Sequence, residues 1–220
     1  MHSKNIIKRE KEIKSEYAIN RILAKELGSI SVKRSPDGAL ATIKRAKEEL
    51  RLVEGEGYTT MVAPVAKKIM DSCEELVGYA KSEGFSGKGN LRIARKAAME
   101  GFLMAERYDP ARGKTFAEEL IGVANYALGM HRSGKASDWE EVMALKGGLV
   151  ASERFNREKD SERFAKPLIE AYGSYIKDNK NNGNERKNVI KAYLDALRIT
   201  MEYKMPEKEA EIRKAMDRAK

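Results

Sequence analysis

The residues with the clearest chemical potential in this chain are cations. No acidic residue lies between Glu83 and Glu100, and Lys88, Arg92, Arg95 and Lys96 all fall in that window. Arg95 and Lys96 follow Arg92 by three and four residues, so the three share one helical face. They occupy the first turns of a helix, where the helix dipole disfavours positive charge. Cations held there suit an anionic partner such as a phosphate backbone, and the link Ser86-Gly87-Lys88-Gly89 beside them can adapt to one. The expectation is a nucleic-acid-binding face at Lys88, Arg92, Arg95 and Lys96. The competing reading is an ordinary solvated face. A more dispersed basic set, Lys177, Lys180, Arg186, Lys187 and Lys191, flanks the polar run Asn179 to Asn184.

Other chemistries lack their residues. The two histidines are His2 and His131, and neither has a second His, Cys or carboxylate at metal-ligand spacing. A Ser-His-Asp arrangement has no support around His131. Gly113-Lys114-Thr115 ends like a phosphate-binding loop, but the required first glycine would fall at Tyr108. The acid pairs Glu48-Glu49, Glu74-Glu75, Glu118-Glu119 and Glu140-Glu141 are adjacent, so each points roughly 100° apart on a helix rather than forming a dyad. The expectation is a protein that is not an enzyme and holds no metal or cofactor. Cys73 is the single cysteine and reads as a small buried helix residue. No apolar run approaches the roughly 20 residues that span a bilayer, and the first residues lack a signal-peptide core. A cytoplasmic location without a membrane partner is expected.

The elements that must position these residues are helical. Charged residues make up 35% of the 220, Pro is scarce at five, and the balance of Ala, Glu, Lys, Leu, Arg and Met favours helix. A charged helix over 5–27 ends near Gly28. Ser35-Pro36 starts a second helix to about 53, and a third covers 61–82 with Pro64 in its first turn. After the Gly-rich link, Asn90 caps a fourth helix over 91–108, and a fifth runs over 115–129. The linker from His131 to Ala136 leads to the Ser137…Glu140 capping box of a sixth, which ends near Phe155. A seventh spans 161–177, and helices over 185–203 and 207–219 close the chain. The fold class is all-α, an array of antiparallel helical hairpins with about eight or nine helices. Tyr58, Tyr108, Phe155 and Tyr203 recur at 47–50 residues, which suggests stacked hairpins. The implied segments are a charged N-terminal part (1–34), a central helical domain (35–136) and C-terminal hairpins (137–220), or one continuous domain.

The most distinctive segment is Arg107-Tyr108-Asp109-Pro110-Ala111-Arg112-Gly113-Lys114-Thr115-Phe116-Ala117. It resembles the core of region 2 of bacterial and phage RNA polymerase sigma factors: basic residue, aromatic, Asp, Pro, any, basic, Gly, two of any kind, Phe, small residue. Leu76 to Lys81 and Phe85 resemble the preceding helix of that family, so the likeness spans about 76–130. It implies a helical hairpin built on the turn residues Tyr108, Asp109, Pro110, Gly113 and Phe116, with Phe116 packed back on Tyr108. It also implies a role in transcription, with DNA and RNA polymerase as partners. Where that family carries acidic and amide residues, this chain has Arg92, Arg95 and Lys96, and its helix after the motif holds no aromatic over 118–125.

With a net charge of +9, the chain is expected to be a non-enzymatic, basic helical protein that binds nucleic acid, DNA or RNA. The alternative is a helical-repeat scaffold for protein partners, whose charge serves solubility.

Overall fold

The computed structural model describes residue 17 and residues 35–55, 59–85, 88–132 and 139–217. They form eight α-helices and one 3-10 turn: α1 (Pro36–Gly55), α2 (Thr59–Ser82), α3 (Lys88–Tyr108), α4 (Pro110–Arg132), α5 (Trp139–Arg154), α6 (Glu158–Asn179), the turn Gly183–Glu185, α7 (Arg186–Glu202) and α8 (Pro206–Asp217). The all-α array is therefore observed. The expected helix over 5–27, Tyr58 and the Ser137 cap lie outside the described residues.

Local signals account for most helix ends. Ser35 accepts the Gly38 amide on Oγ at 3.2 Å, and Pro36 fills the first helical position. Gly84, with φ of 76°, closes α2 in the left-handed region. Asn156 and Lys204, both at φ 52°, end α5 and α7 in the same way. The Arg157 and Met205 amides reach back to the Ser152 and Thr200 carbonyls at 2.8 Å, which completes a Schellman turn at each joint.

Some expected boundaries move. α3 begins at Lys88, and Asn90 lies inside it, donating to the Gly84 carbonyl at 2.9 Å instead of capping. α4 begins at Pro110, since proline needs no amide partner at that position. Gly113 is thus an ordinary buried helical position rather than a relief point in a turn. α6 runs through Pro167, whose missing N–H leaves one carbonyl of the preceding turn without its helical donor.

The chain divides into two compact units, 1–116 and 117–220. In the first, α2 packs on both α1 and α3. In the second, α6 packs on α5 and α7, and α8 packs on α7.

The same module is built twice. Nine of the ten buried positions described in α2, from Val62 to Val77, recur as buried positions of α6 exactly 99 residues on, Ser161 to Ile176. Along α3 and α7 the offset is 95, so that Ala94, Ala97, Ala98, Gly101, Met104 and Ala105 match Val189, Ala192, Tyr193, Ala196, Ile199 and Thr200, all buried.

Polar contacts repeat at the same offsets. Lys47 of α1 pairs with Glu100 of α3, and Lys146 of α5 pairs with Asp195 of α7. The Tyr108 hydroxyl donates to Glu54 at 2.6 Å, and the Tyr203 hydroxyl donates to Glu153 at 2.9 Å. Arg112 meets Asp71 at 2.8 Å; at an offset of 96, which also relates Pro110 to Pro206, Lys208 takes its place and is held charged by Glu211 first and then, among its neighbours, by Glu170, the counterpart of Asp71. The recurrence at 47–50 residues is half of this longer period, with Tyr108 and Tyr203 as its equivalent members.

Those two tyrosines carry a pH signature. Burial first, and then the donated hydrogen bond to a carboxylate, push the Tyr108 and Tyr203 hydroxyls up to about 12. Tyr175, buried and donating to Glu185, is pushed to about 12 as well. A hydroxyl whose proton is held more tightly in the fold stabilises it below the ordinary value of about 10, and that stability is lost as pH rises through the folded value. We expect the urea midpoint to be flat up to about pH 9.5 and to fall between about pH 10 and 12. The variant Tyr108→Phe/Tyr203→Phe should start lower and fall less steeply over that window.

Candidate functional site

The four cations expected to form a binding face have distinct surroundings. Lys88 opens α3, and its side chain is outside the described residues. Arg92 is half-buried, and its Nη2 donates to both carboxylate oxygens of Asp37 at 2.6 and 2.7 Å. Arg95 is only 8% exposed. Lys96 is half-buried. The helical spacing does put these residues on α3, but it turns Arg95 inward.

The neighbouring cations follow the same pattern. Arg107 meets Glu54 at 2.6 Å, and Arg112 meets Asp71 at 2.8 Å and Glu74 at 2.7 Å. Within the acid-free window Arg92 is thus met by Asp37 of α1, and beyond it Arg107 and Arg112 are met by carboxylates of α1 and α2. Partly exposed pairs of this kind contribute about 0–1 kcal/mol each, so they orient α3 and the start of α4 more than they stabilise them.

The turn residues are architectural. Asp109 separates α3 from α4 and accepts the Arg112 amide through its carbonyl at 3.0 Å and Oδ1 at 3.4 Å. Phe116 packs back on α3. Its ring lies against Gly101, where an added Cβ would fall inside the ring's van der Waals shell. Glycine at 101 is what lets the two helices approach. The Arg112 guanidinium lies over the same ring, 5.9 Å from its centroid.

A second cluster was not visible in the sequence. His131 sits in the last turn of α4 rather than in a linker, with Nδ1 3.4 Å from Glu141 and Nε2 3.6 Å from Glu170. Glu141 is 1% exposed, so it is a core residue and not merely a first-turn charge. The arrangement gives each ring nitrogen a facing carboxylate and ties α4, α5 and α6 together. Among the described residues no group of three or more His, Cys, Asp or Glu could hold a metal ion. Cys73 is buried, and desolvation first, then Glu100, push its thiol well up, away from reactivity. No helix of the described residues is long and apolar enough to cross a membrane.

The outward face of α7 is unlike any other surface described. Its inner face buries Val189, Ala192, Tyr193, Ala196, Ile199 and Thr200. Beside it, Arg186, Ile190, Leu194, the half-buried Leu197 and Met201 fall within an arc of roughly 80°. Ile190 is 51% exposed, and Leu194 and Met201 are each 55% exposed.

The matching α3 positions are more covered, with Met99 and Glu106, the counterparts of Leu194 and Met201, half-buried and the other three buried. Leu91 and Phe102, the counterparts of Arg186 and Leu197, are 2% exposed, and Arg95, the counterpart of Ile190, is 8% exposed. At the N-terminal end of α7 the stripe runs into a pocket of about 560 Å³ between the α6–α7 connection and Met216 of α8. Lys177, Lys180, Arg186, Lys187 and Lys191 stand around that end, all exposed. Comparisons with protein-family models, curated proteins and solved structures return no match.

Proposed function

We propose that the chain is a non-enzymatic helical scaffold of the cell interior that docks a protein partner on the open face of α7. The observation that carries this reading is the line of large apolar side chains, Ile190, Leu194 and Met201, each more than half exposed. Apolar residues scattered singly on a surface need no explanation, but a contiguous exposed stripe marks an interaction site. An amphipathic helix laid along α7 would cover it in the helix-in-groove manner.

The test is titration of the full chain with a synthetic amphipathic helix that carries a Leu/Trp stripe and uncharged flanks. Saturable binding that Leu194→Asp weakens at least ~10-fold supports the reading. Absence of binding, or binding untouched by the substitution, overturns it.

A second reading has its own observation. The exposed cations Lys177, Lys180, Arg186, Lys187 and Lys191 favour a nucleic-acid backbone, and they stand at the α6–α7 end rather than on α3. The transcription role and polymerase contact implied by the turn at Tyr108 belong to this second reading. It expects fluorescent DNA or RNA to bind with an affinity that drops steeply between roughly 50 and 200 mM salt. Lys180→Glu/Arg186→Glu/Lys187→Glu should abolish that binding, and such a result would displace the scaffold reading.

A further inference from the structure

Resting on the docking face proposed above, we infer that the partner is an acidic amphipathic helix whose one bulky apolar side chain enters the pocket at the start of α7. The pocket and the stripe are continuous, because Ile190 belongs to both. Val189, Tyr193 and Met216 give the pocket apolar walls, while Lys180 and Arg186 stand at its rim. Its volume of about 560 Å³ is in the range of pockets that receive an organic group.

At the pocket end of the face the exposed charges on α7 are the cations Arg186, Lys187 and Lys191, while at the far end Glu202 is paired with Arg198. Lys187 and Lys191 follow Arg186 along one edge of the stripe, and Lys191 lies 6.0 Å from the Trp139 ring centroid. Glu185, the acid that precedes α7 at the pocket end, is occupied: Tyr175 donates to it, and so does Asn188 at 2.8 Å. Those two donors hold its carboxyl below the ordinary range. A partner that fills the stripe must therefore set its flank beside cations, and an acidic flank meets them with opposite charge.

The duplicated module supplies an internal comparison. Leu91 and Arg95 are buried in α3 where Arg186 and Ile190 are exposed in α7, so both positions exchange polar for apolar character. A requirement of the shared fold would have kept them alike. The reversal leaves an apolar opening with a cationic rim in the second copy.

The experiment uses the full chain and three synthetic helices with the same Leu/Trp stripe, flanked by Glu, Gln or Lys, titrated calorimetrically. The Glu helix should bind at least ~10-fold more tightly than the Gln helix, and the Lys helix more weakly still. Replacing the Trp of the Glu helix by Ala should cost a further ~10-fold, a readout independent of how any protein variant folds. Lys187→Glu/Lys191→Glu should invert the order of the Glu and Lys helices. Equal binding of the three helices overturns the charge argument and leaves the docking face standing. Failure of all three overturns both. Displacement of the Glu helix by a single-stranded oligonucleotide, more readily than by an acidic peptide of equal charge, assigns the cations to nucleic acid and overturns the inference.

Discussion

Asp195→Ala should lower the unfolding free energy by about 3–5 kcal/mol, the largest loss expected from any single truncation of a polar side chain here. Asp195 accepts from the Lys146 ammonium and, at 3.1 Å, from the Tyr172 hydroxyl. The Lys146 and Asp195 side chains are 20% and 18% exposed, and Tyr172 is fully buried. Removing the carboxylate leaves an ammonium and a phenol without an acceptor in a poorly solvated place, and each group then carries its full desolvation penalty. Asp195→Asn keeps an acceptor and should lose less than half as much. Lys146→Met/Asp195→Leu, which removes both charges, should recover most of the loss. Glu100→Ala, at the matching position of the first module, should behave alike, because Lys47 is left in the same state. Urea unfolding followed by circular dichroism measures all of these. A loss below about 1 kcal/mol for Asp195→Ala would mean that the pair is solvated rather than structural.

Phe116→Ala should cost about 3–5 kcal/mol, and Gly101→Ala about 1–3 kcal/mol, through one shared contact. Phe116 is completely buried against Gly101. Truncating the ring opens a cavity, whereas adding a methyl at 101 forces the ring and α4 away. The two changes occupy the same space from opposite sides. The double variant should therefore lose clearly less than the sum of the two single losses, a coupling measurable in a double-mutant cycle. Strict additivity would show that Gly101 is glycine for another reason. Gly148 stands in a like position, with its missing Cβ directed at Ala124 and the Phe164 ring.

The helical class and most helix ends were legible in the sequence because they rest on local signals. Ser35-Pro36, Pro206 and the periodicity of α2 act within a turn or two of themselves. The start of α4 was misplaced because a turn was read into 109–114, although Pro110 is itself a helix-starting residue and Gly113 a tolerated helical one. The surroundings of the cationic window were not legible for a different reason. Asp37, which meets Arg92, comes from a helix distant in sequence, as do Glu54, Asp71 and Glu74, which meet Arg107 and Arg112.

The module was half legible. Tyr108 and Tyr203 align in the sequence, whereas the pairs Lys47–Glu100 and Lys146–Asp195 become equivalent only once their partners are known. The open α7 face could not be read at all. Ile190, Leu194 and Met201 follow a helical period as good as that of any core stripe, and only packing shows that they point outward.

The central claim is that α7 presents an open apolar face at Ile190, Leu194 and Met201 while Phe102 on α3 is buried, and thiol labelling measures this directly. In a Cys73→Ala background, Leu194→Cys and Phe102→Cys are exposed in turn to a thiol reagent under native conditions, each rate referred to that of the unfolded chain. The account predicts that Leu194→Cys reacts within about 10-fold of the unfolded rate and is protected by the acidic helix, while Phe102→Cys stays blocked until the chain unfolds. Equal rates at the two positions, or a Leu194→Cys that is blocked without any partner, would contradict it.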